Sequence, residues 1–466
     1  MQDKEILIMQ KPNIILFNCD DLGYGDLGCY GSLANRTPAI DKLAKEGIRF
    51  TDFYAASPLC SPSRGALMTG CYPPRIGFAK FDNEIVLKPG QGIGLNPEEL
   101  TIGKVLKAGG YRTMIIGKWH CGDQPEFFPT NHGFDHFYGL PYSNDMGRQR
   151  RAYDTPMEEL DEKFPPLPLI SDNEIIQEQP DQKALIERYV EQAIRFIRNS
   201  SNNPFFLYFA PLQVHLPLYA PDRFVNESIN GDYGACVECV DWAVSVIVNE
   251  LKMRGIYDDT VVIFTSDNGS RGDHNASNHP LRGRKGTTWE GGQRVPCIIT
   301  WKKRIKPGQV CSNIVTNMDF LPTFAKFAGV NIDDGKVDGI DISPVLYNEP
   351  EKKRECFFYY YTDSLEAVRF NNWKLHFCKN GEPFKALYNL EEDPGETRNV
   401  YDGFPDVVNK LTALANECRQ DLGDSATNTA GKNIRKAGRV NNPKKLTKYN
   451  PDHPYIIALY DKTEEG

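Results

Sequence analysis

Five short, continuous apolar runs punctuate the first three hundred positions: NIILF (Asn13–Phe17), TMIIG (Thr113–Gly117), FFLYFA (Phe205–Ala210), TVVIFT (Thr260–Thr265) and VPCIITW (Val295–Trp301). None alternates with polar residues as a one-sided strand would, so each reads as a strand buried on both faces. Between them lie segments of helical period. In NRTPAIDKLAKEG (Asn35–Gly47), Thr37 is the expected N-cap, Pro38 fits the first turn and Gly47 the stop. PEELTIGKVLKAGG (Pro97–Gly110) is a second helix. DQKALIERYVEQAIRFIRNS (Asp181–Ser200) puts Leu185, Tyr189, Ala193 and Ile197 on one face. A fourth helix falls within YGACVECVDWAVSVIVNELKMRG (Tyr233–Gly255). Strands alternating with helices predict an α/β fold, a mainly parallel sheet flanked by helices on both faces.

The texture changes near position 345. CFFYYYTD, LEAVRFNNWKLHFC and KALYNL read as short antiparallel strands, and PDVVNKLTALANECRQDLG as a helix packed on them. The expected organisation is a larger catalytic domain over residues 10–345 and a smaller C-terminal α+β domain with a tail over 346–466. Residues 431–448 are rich in Lys, Arg and Asn. They read as a solvated tail or surface loop, the other reading being a site for an anionic partner.

Composition narrows this little. Hydrophobic residues at 40% and charged residues at 25% suit a soluble globular chain. The net charge of −8 argues against a nucleic-acid binder. ILIM near the N-terminus is too short and too acid-flanked for a secretory leader, and no run reaches membrane-spanning length. The chain as written reads as cytoplasmic, or as secreted or periplasmic if a leader has been removed. Its 12 cysteines are scattered. The single C-x-x-C, Cys236–Cys239, lies in a helical pattern with no second pair, so core thiols are expected rather than zinc or redox chemistry.

The chemistry gathers after the apolar runs. In open α/β sheets ligands bind beyond the carboxyl ends of the strands. There stand Asp20 and Asp21, then Lys118 and His120, then His215, then Asp267 and Asn268. Adjacent carboxylates at a buried strand end repel unless a cation joins them. Oxygen-only ligands suit a hard cation such as Ca²⁺, Mg²⁺ or Mn²⁺, and argue against a His/Cys zinc site. Apart from these, SPLCSPSRGALMTG sets Cys60 just ahead of a helix N-terminus, with Pro62 in its first turn; backbone donors there favour an anion. A cysteine-phosphatase loop needs Arg six residues on, but position 66 is Ala.

CSPSRGALMTG fits the sulfatase pattern C-x-P-S-R-x-x-x-T-G at every fixed position, and the chain resembles the formylglycine-dependent sulfatase family. PNIILFNCDDLGYGDLGCYG, GKWH, PYSND, VHLP, SDNG, RGRKGTTWEGG and LYNLEEDPGETRN follow in the family's order, in forms like those of arylsulfatase A and galactosamine-6-sulfatase. The resemblance implies an alkaline-phosphatase-like fold and hydrolysis of an organic sulfate monoester, an aryl sulfate or a sulfated carbohydrate. It implies that a maturation enzyme converts Cys60 to formylglycine, hydrated at rest. Asp20, Asp21, Asp267, Asn268 and modified Cys60 would hold the cation. Arg64 and Lys118 would hold the hydrate, His120 would take a proton from its remaining hydroxyl, and His215, Lys285 and Ser143 would face the ester oxygen and sulfate. One hydroxyl attacks sulfur, His215 protonates the leaving alcohol, and the covalent sulfate then leaves as the aldehyde re-forms.

Two alternatives share these motifs: a phosphonate monoester or phosphodiester hydrolase of the same superfamily, and a sulfated-glycan binding protein whose Cys60 is unmodified. His274 and His279, and Arg148, Arg150 and Arg151, are open between substrate contacts and solvated loop positions.

Overall fold

The computed structural model describes residues 11–149, 164–200, 203–349, 353–450, 452, 458, 460–464 and 466. Ten strands form one sheet. Its centre is five parallel strands in the order Thr260–Ser266, Asn13–Cys19, Phe205–Ala210, Arg112–Lys118 and His136–Leu140. The margins depart from the parallel expectation. Cys297–Thr300 pairs antiparallel with Thr260–Ser266, and the hairpin Pro168–Ser171/Glu174–Glu178 is added antiparallel at the other side. A short hairpin can join antiparallel strands, whereas parallel neighbours need a long crossover.

Both faces of the central strands are buried, as the continuous apolar runs require. Ile15, Phe17 and Cys19 join one core, packed with Leu185, Tyr189, Val240 and Val244 of the long helices Gln182–Asn199 and Gly231–Met253. Ile14 and Leu16 join the other, with Leu106, Leu321 and Phe324 of the helices Ile102–Ala108 and Phe320–Ala328. Cys236 and Cys239 are buried and unpaired in the first core. The helix Pro38–Glu46 begins at Thr37, but the Thr37 side chain makes no cap bond; the Asp241 carboxylate accepts from Ala39 and Ile40 N–H instead.

Beyond these lies a four-stranded antiparallel sheet, Cys356–Tyr361, Ser364–Phe370, Trp373–Lys379 and Glu382–Asn389, with the helix Pro405–Leu422 on one side. A buried polar cluster ties it to the larger unit. Glu290 accepts from Tyr54 and Tyr359 hydroxyls at 2.6 and 2.7 Å and from Lys374 at 2.9 Å. Asp52 pairs with Arg369 at 2.7 Å.

Residues 431–448 form a mostly exposed surface segment, as one reading had it, but an anchored one. Gly438–Arg439 pairs with Ile93–Gly94 of the larger unit. Arg435 pairs with Glu99 at 2.8 Å and Arg439 with Asp82 at 2.6 Å, so this basic strap is fastened by local acids. No helix among the described residues is long and apolar enough to cross a membrane.

Candidate active site

The strand ends and one helix start converge. The helix Cys60–Thr69 is buried at every position, and Cys60 is its first residue rather than the residue before it, which moves Pro62 to the third position. Ser63 accounts for the tight placement: its hydroxyl donates to Asp267 O, and Asn317 Nδ2 donates to Ser63 O and Oγ, both at 3.1 Å. Burial raises the Cys60 thiol's pKa, against the pull of Lys118 and Lys285. The unmodified residue is therefore a neutral thiol, not a thiolate nucleophile.

Lys118 reaches the site because Gly117 adopts φ +101°, where a Cβ would strike Ala210 O. Its ammonium donates to Asp20 Oδ2 at 2.7 Å and to Ser143 Oγ at 3.2 Å. Lys285 donates to Asp21 Oδ2 at 2.8 Å. Arg64 bonds Asp267 Oδ2 through Nε at 2.8 Å and Lys118 O through Nη1 at 3.0 Å, and its Nη2 stands 3.6 Å from Asp20 Oδ1. Asp267 Oδ1 accepts from the Asp21 N–H, and Asn268 Nδ2 donates to Asp21 Oδ1 at 2.7 Å. Asp21 and His120 both hold left-handed backbone, at φ 62° and 56°. Such strain, about 1–3 kcal/mol each, concentrates at functional sites.

The electrostatics follow from burial and from these cations. Burial alone would raise Asp20, but Lys118, His215 and Arg64 hold its carboxyl well below the usual carboxylate range. Burial pushes Asp267 up, with Arg64 opposing. His120 is pushed well below its ordinary value, chiefly by burial and then by Lys118. Its Nε2 lies 3.1 Å from Leu87 O. A neutral ring that donates there must leave Nδ1 deprotonated, and Nδ1 is buried without a partner. Leu87 is itself held, its N–H donating to Ser61 Oγ at 3.1 Å. His215 is likewise lowered by burial and then by Lys285. Its ring lies 3.4 Å from Ser143 Oγ and 3.8 Å from Asp21 Oδ2.

The donor set fits a hard cation. Asp20 Oδ1 and Asn268 Oδ1 are buried acceptors with no hydrogen-bond partner. Ligand atoms of Asp20, Asp21 and His215 lie within 4.8 Å of one another. That trio puts His215 nearer the paired aspartates than the strand-end reading required.

Asp145, in PYSND two residues beyond Ser143, is a site residue that sequence reasoning missed. It is buried; desolvation opposes its charge, but His215, Lys118 and Lys285 hold it low. Its carboxylate accepts from Gly466 N at 3.1 Å. Gly466 packs on the His215 imidazole so closely that a Cβ would lie 1.8 Å from Cε1. The only signal was a carboxylate in a motif read for its serine. His274 and His279 are exposed on their loop, and His274 pairs with Asp273. Arg148 is buried near the site; Arg150 and Arg151 lie outside the described residues.

Clustered acids, the buried Lys118 ammonium, the Arg64 guanidinium and two buried imidazoles meet at one rim of an α/β scaffold, a set of groups suited to hydrolysing an ester and able to hold a cation. Residues 12–330 match the family model described as Sulfatase, and residues 284–421 match that of the N-sulphoglucosamine sulphohydrolase C-terminal region. Bovine (Bos taurus) arylsulfatase A is 38% identical over 434 residues, covering 85% of each chain. N-acetylgalactosamine-6-sulfatase of Sus scrofa is 37% identical over 387 residues, covering 79% of this chain and 72% of its own. The crystal structure of the PsFucS1 sulfatase from Pseudoalteromonas sp. superimposes with a TM-score of 0.79 at 30% identity, covering 88% of this chain and 90% of its own. The chain belongs to the sulfatase family, enzymes that hydrolyse sulfate esters.

Proposed function

We propose that the protein cleaves an organic sulfate monoester with residue 60 as nucleophile, after a maturation enzyme has oxidised Cys60 to formylglycine. The observation that carries this reading is the place of Cys60, the first residue of a fully buried helix, in the field of Lys118, Lys285, Asp20 and Asp267. A cysteine nucleophile would need a lowered pKa, and here burial raises it. A hydrated aldehyde at the same position offers two hydroxyls, one to attack sulfur and one to expel it.

Asp20, Asp21, Asp267 and Asn268, with residue 60, would hold a hard cation such as Ca²⁺; the partnerless buried Oδ1 atoms of Asp20 and Asn268 support this set. Such a cation, when bound, lowers the pKa of a hydroxyl and draws charge from sulfuryl oxygens. Lys118, Lys285 and Arg64 bind the sulfate and stabilise charge that spreads over its oxygens as the S–O bond lengthens. His215, beside Ser143, donates a proton to the leaving alcohol. Burial and then Lys285 lower its pKa in the free protein, and the arriving anion favours its protonated form. His120 Nδ1, unpartnered and deprotonated, takes the proton from the second hydroxyl of residue 60; sulfate then leaves and the aldehyde re-forms. Ser143 helps to orient the sulfate through its contacts with Lys118 and His215. The substrate is a sulfated small molecule or glycan.

A mass spectrum of the tryptic peptide Phe50–Arg64 from the native host, alongside turnover of an aryl sulfate and an aryl phosphonate, tests the proposal. Formylglycine at position 60 with preference for the sulfate is expected. Turnover by protein carrying only cysteine, or preference for the phosphonate, would overturn it.

A further inference from the structure

Lys285 stands on a loop whose two ends are held by one residue of the smaller C-terminal domain. The loop runs from Arg282 to Gly291 and closes on itself, Gly291 N–H donating to Arg282 O at 2.7 Å. Its tip is set against the reacting centre. Lys285 N–H donates to Ser270 O and Gly286 N–H to Pro58 O, both at 2.9 Å. Ser270 lies two residues beyond Asn268, and Pro58 two residues ahead of Cys60. These backbone contacts aim the Lys285 ammonium, which reaches Asp21 Oδ2 at 2.8 Å.

Glu396 grips the neck of this loop. Its backbone carbonyl accepts from Arg282 Nη1 at 2.9 Å, and its carboxylate Oε2 accepts from the Glu290 N–H at 2.7 Å. The other carboxylate oxygen, Oε1, meets Lys374 Nζ at 3.0 Å and His376 Nε2 at 2.8 Å, both on the strand Trp373–Lys379. Glu396 is wholly buried and holds left-handed backbone at φ 51°. A residue with a side chain keeps that conformation only where its surroundings impose it. Here the Asp393 carboxylate accepts from the Thr397 and Arg398 N–H groups at 2.8 Å, and Glu396 N–H donates to Asp393 O at 3.1 Å. The DPGE turn within LYNLEEDPGETRN thus presents one carbonyl and one carboxylate to the loop in a fixed arrangement, and no step of the proposed reaction uses either.

We propose that Glu396 is a positioning residue for sulfate ester hydrolysis: it clamps both ends of the Arg282–Gly291 loop and so fixes the Lys285 ammonium where the sulfate binds. This rests on the sulfatase reading of the catalytic site, which it extends into the C-terminal domain.

The test uses the full chain, with formylglycine content set equal by peptide mass spectrometry. kcat/KM for 4-nitrocatechol sulfate is measured for wild type, Glu396→Asp, Arg282→Met and Lys285→Ala, and for each of the first two substitutions combined with Lys285→Ala. Glu396→Asp keeps the charge but draws the carboxylate back by about 1.5 Å, one C–C bond. A displacement of about 1 Å can cost about 10²-fold, so a loss of about 10–100-fold is expected. Arg282 is exposed, and its replacement frees the other end of the loop without opening the core; a loss of about 3–10-fold is expected. In the Lys285→Ala background each substitution should cost less than about twofold, because the group it aims is gone. Loss by the same factor with and without Lys285, or no loss in its presence, would overturn the proposal. Where Glu396→Asp does not fold, Arg282→Met decides by the same comparison. Hydrogen exchange of the amides of residues 283–290 should quicken about tenfold or more in both variants, with the strand Thr260–Ser266 unchanged. Unaltered loop exchange would overturn the clamp whatever the activity. Absence of aryl sulfate turnover in formylglycine-bearing wild type would instead overturn the catalytic reading, and the exchange would still decide the clamp.

Discussion

His120→Ala separates the two halves of the proposed reaction. His120 is fully buried, its Nε2 lies 3.1 Å from Leu87 O, and its Nδ1 has no partner. The ring is therefore already neutral and aimed by one hydrogen bond, as a base for the hydroxyl that remains after sulfur has been attacked. A positioned general base contributes about 10²–10⁴-fold. That loss should fall on sulfate release. The attack step relies on Lys118, Lys285 and Arg64, which the substitution leaves in place, and should slow by less than about tenfold. Loss of the ring also strands the buried Leu87 carbonyl, at about 1–3 kcal/mol of stability, which the fold can bear. Quench-flow with 4-nitrocatechol sulfate reads the difference. The variant should release one equivalent of nitrocatechol per formylglycine-bearing site in a rapid burst, followed by turnover about 10²–10⁴-fold slower than wild type. A burst that disappears, or attack and release falling by the same factor, would refute the assignment of His120 to the second step.

Ser61→Ala removes the acceptor of the Leu87 N–H. It should lower steady-state turnover about 3–10-fold while preserving burst amplitude, measured on protein whose formylglycine content is set equal by peptide mass spectrometry. Chelation with EDTA should lower aryl sulfate turnover more than about 10²-fold, with recovery on adding back Ca²⁺, and should lower the unfolding temperature because a cation that binds only the native state stabilises it. Lys379 is pushed down to about 7 by burial and then by Lys374, against Glu366 and Glu396. The unfolded chain holds that proton up to about pH 10.4. Between pH 7 and 10 the native state therefore binds fewer protons than the unfolded one, and stability rises with pH, by at most about 5 kcal/mol over the full interval. Lys379→Met should flatten that rise in thermal unfolding scans; an unchanged slope would assign the pH dependence elsewhere.

The residues at the strand ends were legible because each polar cluster follows a continuous apolar run, and the parallel order of the central strands carries those ends to one rim. The signature at Cys60 was legible for a different reason, as a pattern of side chains on one short helix. What escaped notice depends on contacts that leave no mark on residue type. The Leu87 carbonyl that faces His120 belongs to a residue whose side chain could have been any aliphatic. The strap over residues 431–448 is mostly exposed, as a surface loop would be, but its anchoring was hidden because the acids that hold it, Glu99 and Asp82, stand 336 and 357 positions earlier in the chain. The antiparallel margins of the sheet were hidden because a buried run of four residues, CIIT, looks the same in either direction. His215 was read as a substrate contact, and only the folded geometry brings it within reach of both Asp20 and Asp21.

The burial of the helix Cys60–Thr69 sets a clock on biosynthesis. No residue of that helix reaches the surface once folding is complete, so an enzyme that acts on Cys60 must meet it in an unfolded chain. The strand pair between Ile93–Gly94 and Gly438–Arg439 cannot close until position 439 has been made, 379 residues after position 60. At roughly 5–20 residues per second, synthesis alone leaves the cysteine a window of about 20–75 s before the strap can lock over the larger unit. A cell that elongates faster, or folds the larger unit before the strap arrives, would accumulate finished chains that bear an inert thiol.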